Sequence, residues 1–82
     1  SNLEIQLYKG ISLIETNQFS EADELLQGLS KTNSAYKYMA KWYWALSKLK
    51  QDDTKACIKI LKEIPEQAEH YKQAQKLLNK LD

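Results

Sequence analysis

The sequence predicts an all-α fold: a small helical-repeat solenoid, an α-α superhelix of two antiparallel helix pairs plus a C-terminal capping helix. Three observations predict it. Leu, Lys, Ala, Gln and Glu dominate, valine is absent, and the 82 residues include two glycines and one proline. Strands favour β-branched residues, and their turns need glycine and proline, so both requirements of a β fold are poorly met. Apolar residues recur at helical spacing, and the chain repeats itself at an interval of 35 residues. Its length suits a single domain, spanning residues 1–82.

Helices are expected near residues 2–16, 19–31, 34–50, 53–64 and 68–81. In the first, Leu3, Leu7, Gly10, Ile11 and Ile14 follow i, i+4, i+7, i+8, i+11, one face of a helix. After the polar break Asn17-Gln18, Ser20 is the expected N-cap of the second helix, with Asp23 three residues on as a capping-box variant. Its face is Ala22, Leu25, Leu26 and Leu29. Thr32-Asn33-Ser34 separates the pairs, with Ser34 the expected cap of the third helix, whose stripe is Tyr38, Trp42, Ala45, Leu46 and Leu49. Asp52-Asp53 opens the fourth, where acids suit a helix N-terminus, and its face is Cys57, Ile60, Leu61 and Ile64. Pro65 ends or bends that helix, because proline lacks the amide donor and clashes with the preceding turn.

Slid against itself by 35, the sequence aligns Tyr8 with Tyr43, Ser12 with Ser47, Leu26 with Leu61, Tyr36 with Tyr71, Lys37 with Lys72 and Lys41 with Lys76. Size is kept as well as identity. Leu7, Trp42 and Leu77 form one series, and Ile11, Leu46 and Leu81 another. Gly10 pairs with Ala45, Ala22 with Cys57, Ile14 with Leu49, and Leu29 with Ile64. The units are repeat 1 (about 2–33), repeat 2 (about 34–67) and a closing helix (about 68–82).

Trp42-Tyr43-Trp44-Ala45-Leu46 resembles the first-helix signature of tetratricopeptide (TPR) repeats, and Asn17-Gln18-Phe19-Ser20-Glu21-Ala22 resembles the family's turn. Asn17 and Asp52 stand where that turn has glycine, Thr54 where it has an aromatic, and Cys57 where it has alanine. The chain looks like the C-terminal repeats of a bacterial protein of this type. The resemblance implies a non-catalytic protein-binding module whose first helices line a concave face for a peptide or partner helix.

No catalytic constellation competes with that expectation. Net charge is +1, without the basic stripe of a nucleic-acid binder. The lone Cys57 excludes an internal disulfide and a cysteine-based zinc site, and its apolar helix face suggests a small buried filler. His70 reads as an exposed linker residue; Glu66 and Glu69 are its nearest carboxylates, and no His-x-x-x-His spacing exists. No phosphate-binding glycine loop is present. No cofactor is expected, no apolar run reaches the roughly 18 residues of a membrane span, and no targeting signal indicates a compartment. The Ser1-Asn2 opening suggests a fragment of a longer chain.

Projected at 100° per residue, Lys37, Lys41 and Lys48 mark the wet side of the third helix, with Trp44 beside them. Tyr43, Ser47 and Lys50 lie on the flank, as Tyr8, Ser12 and Glu15 do on the first helix. These six and Trp44 are the candidate partner-binding residues, because tyrosine and tryptophan offer large contact area at low entropic cost. Packing between repeats is the alternative role of the tyrosines. At the level of the whole chain, the alternative is a structural C-terminal segment of a longer scaffold, or a unit that self-associates or packs against missing N-terminal repeats.

Overall fold

A computed structural model describes residues 2–82. The described residues form five helices and no strand: α1 (Asn2–Glu15), α2 (Phe19–Ser30), α3 (Lys37–Lys50), α4 (Thr54–Leu61) and α5 (Tyr71–Leu81). Consecutive helices are neighbours: α1 packs on α2, α2 on α3, α3 on α4, and α5 makes a smaller contact with α4. α1 also touches α3, where Tyr36 Oη, just before α3, donates to Glu4 Oε2 near the start of α1 at 3.4 Å. α1 and α3 are each joined to α2 by a short connection and pack along it, so both run opposite to α2. The Cα envelope measures 34 × 28 × 16 Å, and its short dimension fits two helix layers about 10 Å apart.

Both hairpin turns have the same construction. Asn17 and Asp52, one repeat apart, take positive φ angles of 60° and 61°. The amide of Asn17 donates to Ile14 O and that of Gln18 to Leu13 O, at 3.0 and 2.8 Å. The amides of Asp52 and Asp53 reach Leu49 O and Lys48 O in the same way, at 3.0 and 2.9 Å. Each is a Schellman closure, which satisfies the last carbonyls of one helix while a left-handed residue reverses the chain. Asn and Asp tolerate that region better than other side chains but less well than glycine.

The apolar faces form two clusters that share three repeat-equivalent positions. Leu7, Leu13, Ile14, Ala22, Leu26, Leu29 and Ala40 make the first, and Ala45, Cys57, Ile60, Leu61, Ile64, Ala74 and Leu78 the second. The paired positions Ala22/Cys57, Leu26/Leu61 and Leu29/Ile64 are all buried. Gly10 is needed for close approach: a Cβ built there would lie 2.7 Å from Leu26 Cδ2. Trp44 packs against both clusters and joins them.

Several expected boundaries shift. α3 starts at Lys37 because Ser34 accepts from the Tyr36 amide at 3.2 Å and bonds Thr32 Oγ1 at 2.8 Å, holding a local turn where a helix was expected. α4 stops at Leu61, the residue whose carbonyl the Pro65 ring would strike four positions later. Successive turns then carry the chain to α5 at Tyr71. Ser20 lies inside α2, whose N-cap is Gln18 without a side-chain cap bond. Asp53 caps α4 as expected, accepting from the Ala56 amide at 3.2 Å.

Asn17→Gly and Asp52→Gly should each stabilise the fold by about 0.5–1 kcal/mol, whereas alanine at either site should destabilise it by about as much. Urea unfolding midpoints check this. Equal effects of glycine and alanine would contradict the turn geometry.

Candidate partner-binding surface

The seven candidate residues fall into two groups. Tyr8, Ser12 and Glu15 on α1 and Lys50 on α3 are exposed, with Tyr8 at 60%. Tyr43 is half-buried, its ring set edge-on to the His70 imidazole with centroids 5.9 Å apart. Ser47 and Trp44 do not belong to an open flank.

Ser47 is fully buried, and its hydroxyl donates to Asp23 Oδ1 at 2.6 Å. Gln51 Nε2 donates to Asp23 Oδ2 at 2.8 Å, and Lys48 Nζ lies 3.1 Å from the same oxygen. One α2 carboxylate therefore gathers three donors from α3. The sequence reading gave Asp23 to helix capping and Ser47 to a partner; folding gives them to each other. The lysine side of α3 is correspondingly drier than expected. Lys48 reaches α2, and Lys41 Nζ pairs with Glu63 Oε1 just beyond α4 at 3.0 Å. Among the lysines expected to be wet, Lys37 places its ammonium 5.3 Å from the Tyr38 ring centroid, within cation–π range.

Trp44 is half-buried between the two clusters, and its indole N–H is enclosed without a hydrogen-bond partner in the protein. The sequence projection misplaced the buried side of α3. Its fully buried residues are Ala40, Ala45 and Ser47, because a central helix pressed by neighbours on several sides selects small residues at its closest approaches. The large aromatic rings fill the seams around them.

His70 is the residue the sequence did not bring to this surface. It is half-buried, stacked on Trp42 at a centroid distance of 5.4 Å and 10° between planes, with Nδ1 enclosed and without a protein partner. This contact docks the start of α5 on α3. The partners are separated by 28 and 27 residues in the chain, and no local spacing announces them.

Among the described residues, no group of three or more His, Cys, Asp or Glu is placed to hold a metal ion. Cys57 is buried, and desolvation, with a smaller push from the Asp53 carboxylate, raises its thiol pKa above the ordinary value. The thiol is therefore kept protonated and enclosed, the opposite of an activated nucleophile. What the exposed flank offers is aromatic area beside the opposite charges of Glu15 and Lys50.

Asp23→Ala should cost about 2–3 kcal/mol, since it strands the buried Ser47 hydroxyl and removes an ion pair. Ser47→Ala should cost about 1 kcal/mol or less, because Asp23 keeps Gln51 and Lys48. Denaturant unfolding of both variants checks the order, and a larger loss for Ser47→Ala would contradict this assignment. Compared with protein-family models, curated proteins and solved structures, the chain matches none.

Proposed function

We propose that the chain is a non-catalytic protein-interaction module of the tetratricopeptide type, whose stacked pairs bind a peptide or partner helix along the flank of α1 and α3. One observation carries this reading. α1 and α3 both pack on α2 and touch each other, which supports reading the repeat-equivalent positions Tyr8 and Tyr43 as parts of one surface, with Tyr8 60% exposed. Tyrosine on a rigid helix loses little entropy on binding and supplies both apolar area and a hydroxyl. Glu15 and Lys50, at the C-terminal ends of the same two helices, add opposite charges that favour one orientation of a bound segment.

The proposed binding residues are Tyr8, Ser12, Glu15, Tyr43 and Lys50. Ser47, buried against α2, and Trp44, packed between the two clusters, are not among them. The non-catalytic part of the reading is supported by how the polar groups are used: Asp23, Lys41, Lys48 and Glu63 join helices to their neighbours.

Peptides selected from a displayed random library on the immobilised chain provide the test. Their binding should shift backbone amide resonances around Tyr8, Ser12, Glu15, Tyr43 and Lys50. The double variant Tyr43→Ala, Lys50→Ala should weaken binding about tenfold or more. Undiminished binding to that variant, or shifts confined to other faces, would remove the assignment.

A further inference from the structure

The outer side of the α1–α2 hairpin carries an open groove of about 430 Å³ lined by Gln6, Lys9, Glu21, Glu24, Leu25 and Gly28. Beside it on α1 stands Ile5, 65% exposed, one of the two large apolar side chains exposed among the described residues. The floor is open at Gly28, where an added Cβ would meet nothing within 4 Å.

The repeat shows what this side of a hairpin does when it is covered. Thirty-five residues on, Ile5, Lys9 and Ser12 become Ala40, Trp44 and Ser47, the side of α3 that faces α2. Leu25 becomes Ile60, which is buried. α2 therefore covers the α3 side of this face in the second hairpin, while the α1 side of the first is bare.

We propose that a second copy of this chain covers it, the two α1–α2 hairpins meeting outer face to outer face about a two-fold axis. Two observations select this occupant. The walls of the groove carry opposite charges: Lys9 on α1, and Glu21 and Glu24 on α2. A two-fold along the groove places α1 of each copy against α2 of the other, so Lys9 meets Glu21 and Glu24 of the second copy twice, and each Ile5 side chain falls over α2 of the other copy. Head-to-tail stacking lacks a matching apolar surface. At the other end α5 packs on the second cluster through Ala74 and Leu78, and its exposed Lys72, Lys76 and Lys80 lie on the opposite side of the helix.

The patch is small. The face spans α1 and α2, 14 and 12 residues and about 21 and 18 Å long, each about 10 Å across, giving on the order of 400 Å² per copy against the roughly 800 Å² of a standard interface. An interface of that size lies at the weak, transient end of specific association. The proposed interface adjoins the flank assigned to partners and shares Ser12 with it, but it does not rest on that assignment.

Sedimentation equilibrium of the chain from about 10 µM to 1 mM tests it. The mass should rise from 9.6 kDa towards twice that value. Ile5→Lys should hold it at one chain, with an unchanged circular dichroism spectrum. Lys9→Glu should weaken association about tenfold, and adding Glu21→Lys and Glu24→Lys should restore it. These side chains are exposed, so the variants spare the core. A single-chain mass at 1 mM, a mass beyond two chains, wild-type association of Ile5→Lys, or failure of the charge swap to restore association would each overturn the proposal.

Discussion

The two hairpins are held in register by one carboxylate. Asp23, on α2, takes the Ser47 hydroxyl, the Gln51 amide and the Lys48 ammonium of α3. Withdrawing a carboxylate from water costs several kcal/mol unless donors replace the lost hydration, and three donors on neighbouring turns of one helix do so. The arrangement tolerates little sliding, since moving α3 by one turn, about 5.4 Å, would break all three contacts. Apolar packing alone is less exacting, because leucines and isoleucines one turn apart are nearly interchangeable.

Much of the rest depends on that register. It fixes how α3 meets α1, which it touches near the helix starts. It places Trp44 in the seam between the clusters, and it leaves the Trp42 and Tyr43 rings to receive His70. The matched turns at Asn17 and Asp52 contribute the other half of the geometry by closing each hairpin in the same way. Equivalent turns give equivalent hairpins, and the clamp relates one hairpin to the next.

The sequence made the helices, the repeat and the core positions of α2 and α4 legible, because these depend on local spacing. Ala22, Leu26 and Leu29 and their counterparts Cys57, Leu61 and Ile64 are buried as the periodicity implies. Asp53 caps its helix for a reason visible three residues away. What escaped the sequence depends on partners distant in the chain. Ser47 has the chemistry of a surface residue until Asp23, 24 positions earlier, is brought to it. His70 reads as exposed until Trp42 lies under its ring. α3 deceived the helical projection because a single apolar stripe assumes a single core, whereas this helix is packed by α1, α2 and α4 and also receives His70. The outer groove at Gly28 had no sequence signal beyond the glycine itself.

α2 and α3 should open as one mechanical unit spanning the boundary between repeats, with α5, which makes a smaller contact, a more weakly attached closing element. Native-state amide hydrogen exchange measures this directly. Amides in the middle of α2 and α3 should exchange through one shared opening with the highest free energy in the molecule, while those of α5 open at lower cost. Separate opening of the α1–α2 and α3–α4 hairpins, with different free energies for α2 and α3, would contradict the central role given to the Asp23 clamp.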